Sequence, residues 1–182
     1  PFGAGHSSTS LSAALGFARA AKLTGEGGIA VAVVGDGAFT GGMIYEALNN
    51  CEKDLPLVVI LNDNEMSISR NVGRMSGYIS DLRSSKYYIS LKHRVEKLLN
   101  SLPYIGESAV GAVAAFKEKV RNAVVFDSNI FERMGLRYYG PVDANDYGKI
   151  RLMLEEAKNE GKSCIIHAVT KKGMGYAPAE VD

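Results

Sequence analysis

The sequence predicts an α/β fold: three layers, with a mostly parallel sheet in the middle and helices on both faces. Three observations predict it. Short apolar runs rich in β-branched residues recur along the chain, segments with apolar residues at helical spacing separate them, and most connections are short. Strand–helix–strand alternation with such connections favours parallel pairing, because a parallel neighbour needs a crossover.

Taken in order, Leu11, Leu15 and Ala18 mark one face of a first helix. Ile29–Gly35 (IAVAVVG) then reads as a buried strand. Ile44, Ala47, Leu48 and Cys51 follow the i, i+3, i+4, i+7 spacing of a second helix. Leu57–Leu61 (LVVIL) is the next strand, Leu136–Gly140 (LRYYG) a weaker one, and Ser163–Val169 (SCIIHAV) the last. Ile150, Met153, Leu154 and Ala157 predict a helix before that last strand. One stretch breaks the alternation, a helical insertion over residues 65–133, its helices at about 70–130. There Leu91, Val95, Leu98, Leu99 and Leu102 line one face and Val113, Phe116, Val120 and Val124 another, with Pro103 and Gly106 between. A lid over a site and a plain helical decoration both fit so long an insertion.

Bulk properties narrow the class. The 182 residues fit one ordinary domain, and a hydrophobic share of 46% against 23% charged is that of a soluble globular protein. A net charge of +1 argues against a broad nucleic-acid surface. No apolar run approaches the roughly 20 residues that span a bilayer, so no membrane role is expected. Cys51 and Cys164 lack metal-ligand spacing and have apolar neighbours, which predicts reduced, buried thiols in a cytoplasmic protein. The opening Pro1-Phe2-Gly3 shows neither an initiator Met nor a signal-peptide pattern and reads as a cut.

Chemistry concentrates in two motifs. Gly35-Asp36-Gly37-Ala38 ends the first strand, and Thr40, Gly41 and Gly42 follow before the next helix. A glycine-rich strand-to-helix turn lets backbone N–H groups approach a phosphate. Asp36, expected on a surface turn, would repel that phosphate unless a divalent cation lay between them. Taken alone, the motif fits equally a tight turn with an aspartate cap. The second motif, Asn62-Asp63-Asn64-Glu65-Met66-Ser67-Ile68-Ser69, follows the strand Leu57–Leu61, with Asn64 28 residues after Asp36. That spacing holds one helix and one return strand, so both motifs fall at carboxyl ends of neighbouring strands, where open α/β sheets bind ligands. A carboxylate and an amide carbonyl are hard oxygen donors suited to Mg²⁺, with diphosphate oxygens, a backbone carbonyl and water completing the octahedron.

At this point the sequence resembles a known family. Gly35-Asp36-Gly37, a spacer and Asn64 look like the thiamine-diphosphate signature of transketolase-like enzymes. Finer matches point to 1-deoxy-D-xylulose-5-phosphate synthases: Gly5-His6-Ser7-Ser8-Thr9-Ser10, GDGAFTGGMIYEALNN, ILNDNEMSIS at Ile60–Ser69, Gly140-Pro141-Val142-Asp143, and the run from Thr170 to Glu180 (TKKGMGYAPAE). The resemblance is dense over residues 1–70 and 131–182 and loose across the insertion. Ala144-Asn145 depart from it, standing where the family commonly has Gly-His.

The resemblance implies a thiamine-diphosphate-binding fold and a set of roles. Asp36 and Asn64 would ligate Mg²⁺ through side chains and Met66 through its backbone carbonyl. Gly37, Ala38 and Asn64 would contact the diphosphate. Gly5, His6 and Ser7 would line the cofactor, with His6 at the reacting end as the catalytic residue. Tyr176 would belong to a closing loop, and Lys171 or Lys172 could add charge. It further implies condensation of pyruvate with D-glyceraldehyde 3-phosphate, loss of CO₂, and a product feeding isoprenoid and thiamine biosynthesis. Partners would be the remaining domains of the same enzyme, which supply a glutamate against the cofactor's aminopyrimidine, and a second copy in a homodimer. The isolated chain is then expected to be inactive.

Other readings stay open. Transketolases and dehydrogenase components share the signature, and a non-catalytic nucleotide-binding module would use a similar turn, although Thr40 breaks the G-x-G-x-x-G pattern. His6 could instead cap the following helix. His167, inside an apolar strand, reads as a satisfied core histidine, His93 as a residue of a solvated helix face, and Tyr87-Tyr88 as packing.

Overall fold

The computed structural model describes residues 3, 5–64, 73–84 and 130–180. Four strands form one sheet: β1 (Ala30–Gly35), β2 (Leu57–Asp63), β3 (Arg137–Asp143) and β4 (Cys164–Val169). Their order is β1-β2-β4-β3 and every pairing is parallel, as the alternation predicts. The helices are α1 (Ser10–Thr24), α2 (Asp36–Phe39), α3 (Gly42–Asn49), α4 (Arg74–Ser84), α5 (Ile130–Arg133), α6 (Tyr147–Glu160) and α7 (Ala177–Glu180).

Side-chain alternation sends each strand's residues to two cores. On one face Ala32 and Val34 of β1, Leu57, Val59 and Leu61 of β2, Tyr138 of β3 and Ile165 of β4 pack with α1, α3, α4 and α5. On the other, Val58, Tyr139, Cys164 and Ile166 pack with Ala157, Ile150, Met153 and Leu154 of α6. The three layers are therefore present, and the predicted helical stripes are the buried ones: Leu11, Ala14, Leu15 and Ala18 in α1, and Ile44, Ala47 and Leu48 in α3. Each buried Leu or Ile contributes about 1.5–3 kcal/mol. α1 and α6 both stop at a left-handed glycine, Gly25 and Gly161, and Asp146 caps α6 by accepting from the Lys149 N–H at 3.2 Å.

Four expectations need correction. β1 is not buried on both faces: Val31 and Val33 are 52% and 60% exposed, since α6 covers the β3 side of the sheet and no described helix packs over them. Cys51 lies beyond α3, which ends at Asn49; it is half-buried, its Sγ 3.5 Å from the Ala47 carbonyl. β3 is longer than the Leu136–Gly140 run, because a register shift between Tyr139 and Val142 carries it past Gly140-Pro141 to Asp143. Gly140 has φ +121°, and a Cβ there would sit 2.7 Å from the His167 carbonyl oxygen, so only glycine fits the shift. Finally, the glycine-rich turn after β1 is itself a helical turn, α2.

Of the insertion, α4 and α5 are described and both are helical. Phe131 of α5 is fully buried, stacked on Tyr138 and edge-on to Phe39, and the Tyr78 hydroxyl of α4 accepts from the Ile130 N–H. The Leu91–Leu102 and Val113–Val124 patterns, His93, Tyr87-Tyr88 and Met66 lie outside the described residues.

Candidate active site

Strand register places the motifs. Gly35 pairs with Asn62, so Asp36 and Asn64 leave β1 and β2 at the same carboxyl edge, on adjacent strands. Asp63 and Asp143 both pair with Val169, which brings the Asp143–Asn145 turn and the Thr170–Tyr176 loop to that edge as well. Four segments distant in sequence thus meet at one end of the sheet.

Asp36 is only 7% exposed, not on a surface turn as its flanking glycines suggest. The chain turns into α2 at once, which tucks this residue against β2. Burial pushes the Asp36 carboxyl above its ordinary value; the Gly37 N–H pulls it down, the Asp63 carboxylate pushes it up, and Arg83 pulls it down. An acid so placed gains from a nearby cation. Asn64, half-buried, offers a second hard oxygen. Among the described residues no group of three or more His, Cys, Asp and Glu side chains could hold a metal. The donor set fits a hard dication that brings oxygen ligands with it, as Mg²⁺ does on a diphosphate.

The Gly5–Ser7 loop is locked onto this turn. Ser8, at φ +67°, donates its hydroxyl to the Ala38 carbonyl at 2.6 Å, and Ser10 reaches the Val33 carbonyl at 3.2 Å. A Cβ on Gly41 would lie 2.4 Å from Ser8 Oγ, so glycine permits the close approach. Gly5, His6 and Ser7 are exposed. His6 does not cap α1, whose N-cap is Thr9; the Thr9 hydroxyl donates to the His6 carbonyl at 2.9 Å.

Beneath the edge lies a buried polar chain. The Asp63 carboxylate accepts from Arg83 Nη1 at 3.1 and 3.2 Å and meets His167 Nε2 at 2.9 Å. A carboxylate only accepts, so the imidazole N–H points at Asp63, and Nδ1 faces the Tyr138 hydroxyl at 2.8 Å. His167 is fully buried, a satisfied core histidine as expected. Sequence reasoning missed Asp63, Arg83 and Tyr138. The available signal was a histidine in an apolar strand, which requires a polar partner.

At the far side Asn145 holds two loops together. It closes a turn through the Asp143 carboxylate at 3.0 Å, and its Oδ1 accepts from the Lys171 N–H at 3.3 Å. The Ala144-Asn145 departure therefore leaves this loop formed. Lys171 and Lys172 are exposed, and Tyr176 is 65% exposed, its N–H bonded to Gly173.

A family model described as 1-deoxy-D-xylulose-5-phosphate synthase matches residues 1–170. The chain belongs to the 1-deoxy-D-xylulose-5-phosphate synthase family. It is 46% identical over 179 residues to the synthase of Syntrophomonas wolfei, 48% over 180 to that of Caldanaerobacter subterraneus, and 46% over 182 to that of Pseudomonas fluorescens. These alignments cover 98%, 98% and 100% of this chain but only 28%, 29% and 28% of the synthases, so the chain spans less than a third of its relatives' length. The solved structure of a candidate thiamin diphosphate-dependent enzyme from Mycobacterium smegmatis superimposes with a TM-score of 0.45 at 17% identity. That match covers 88% of this chain and 22% of the other, and is too loose to bear on function.

Proposed function

We propose that this chain is the diphosphate- and Mg²⁺-holding domain of a 1-deoxy-D-xylulose-5-phosphate synthase. The complete enzyme would condense pyruvate with D-glyceraldehyde 3-phosphate, releasing CO₂ to give 1-deoxy-D-xylulose 5-phosphate. The observation that carries the reading is the Gly35–Asn62 pairing, which sets Asp36 and Asn64 on consecutive turns of one sheet edge. Family membership supplies the reaction class.

Thiamine diphosphate, when bound, supplies the carbanion chemistry that decarboxylates a 2-oxo acid. The chain's own residues would do the rest. Asp36 and Asn64 would offer side-chain oxygens to Mg²⁺, and the family resemblance adds the Met66 carbonyl as a third donor. Gly37 and Ala38 present backbone to the diphosphate without bulky side chains. Gly5, His6 and Ser7, held by the Ser8 hydrogen bond, would flank the cofactor, and His6 would carry protons on its imidazole. The loop bearing Tyr176 would close over the site. We place residues 1–182 in one domain with the 65–133 segment inserted in it, working in the cytoplasm as part of a homodimer. No described helix is long and apolar enough to cross a membrane.

Replacing Asp36 by Ala should abolish Mg²⁺-dependent thiamine diphosphate binding, read by calorimetry. Undiminished binding by this variant would refute the metal role. The purified 182-residue chain, given both substrates, cofactor and Mg²⁺, should form no product, because the carboxylate expected against the aminopyrimidine belongs to another domain. Sustained turnover would overturn that division of labour.

A further inference from the structure

We infer that Arg83 and His167 are positioning residues, which clamp Asp63 and thereby set the strand end from which Asn64 reaches the metal. The inference rests on the metal-holding role proposed for Asn64. Asp63 immediately precedes Asn64, and the two share a peptide unit, so whatever fixes Asp63 limits where the next residue can go.

Asp63 is held from three sides. Arg83 and His167 take its carboxylate, as described above, and the Thr170 N–H of the neighbouring strand end donates to its carbonyl at 2.9 Å. Thr170 also ties the preceding residue, its hydroxyl donating to Asn62 Oδ1 at 2.7 Å. The side chains of His167 and Asp63 are 0% and 2% exposed, and that of Arg83 is 22% exposed. Burying a carboxylate in this way is expensive, and an apolar side chain would fill the space at lower cost. The expense is understandable if the carboxylate fixes geometry, as partners behind metal ligands commonly do.

The origin of Arg83 adds a consequence. It belongs to α4, the first described helix of the long segment between β2 and β3, and its guanidinium also reaches Ser80 Oγ at 3.3 Å. The insertion is thus wired to the candidate metal turn by an ion pair, which makes more of it than decoration.

Arg83→Met and Asp63→Asn variants of the 182-residue chain test this with two readouts. Without ligand, amide hydrogen exchange by NMR should show lost protection at the Thr170 N–H in both variants. With thiamine diphosphate present, Mg²⁺ titrated by calorimetry should bind about 10–100-fold more weakly than to the parent chain. Arg83→Lys should recover part of the affinity. Leu136→Ala, a core truncation just before β3 and so at the opposite end of the sheet from Asp63, should lower the melting temperature and leave Mg²⁺ affinity alone. Unchanged exchange at Thr170, or lost protection with unchanged Mg²⁺ affinity, overturns the inference. If the parent chain binds no cofactor, the metal-site reading fails separately, and the exchange experiment alone decides whether Arg83 and His167 order the turn.

Discussion

At the scale of single residues, Asp36 carries a charge where little water reaches it. Its carboxyl is raised mainly by burial, so the folded chain penalises the ionised form. A folded value above the unfolded one contributes stability that is complete below the unfolded value near 3.8 and lost as pH climbs through the folded value. At neutral pH, without ligand, the charge therefore works against folding. Asp36→Asn should raise the ligand-free melting temperature at pH 7, because it removes the buried charge and keeps the shape of the side chain. The advantage should shrink as pH falls toward 4. A melting temperature that drops at pH 7 would show the carboxylate to be stabilising after all. The glycines around Asp36 read as an open turn, and its burial was illegible because it depends on β2, which is remote in sequence. Asn64 and His6 were legible as motif residues. The partners of Asp63 were not, since Arg83 and His167 stand 20 and 104 positions away.

Elements meet closely where the loop before α1 lies on the junction of α2 and α3. Gly41→Ala would drive a methyl into the Ser8 hydroxyl, and overpacking of this kind costs about 1–3 kcal/mol. Urea unfolding should show that loss, and adding Ser8→Gly should recover part of it by removing the obstructing side chain. No recovery would mean that the clash is relieved elsewhere. Helices and strands were largely legible because periodicity reports which residues a core removes from water. The bare side of β1 was not: a run such as IAVAVVG reads the same whether one face is covered or two. Nor could the run LRYYG reveal that a register shift would let β3 continue through a proline to Asp143.

Over the whole molecule, burial acts on the groups that ionise in alkali. The Cys51 thiol is pushed up to about 11 and the Cys164 thiol to about 12, chiefly by desolvation, and burial also raises the phenols of Tyr45, Tyr78 and Tyr139. Unfolded thiols release protons near 9.0, so their contribution is full below that pH and is lost as pH rises through about 11 and 12. The urea midpoint should hold steady to about pH 9 and then fall, and a Cys51→Ala, Cys164→Ala chain should decline less steeply. Equal slopes would assign the loss to the tyrosines. The strand order β1-β2-β4-β3 has an outcome of another kind. β4 sits between β2 and β3 although it follows both in sequence, and its contact with β2 spans more than half the chain. During synthesis β2 and β3 must leave the ribosome and wait, each with an open edge, for a strand that arrives after both. Chaperone dependence should therefore peak just before β4 emerges, and a ribosome stalled there would display a sheet with a gap at its centre.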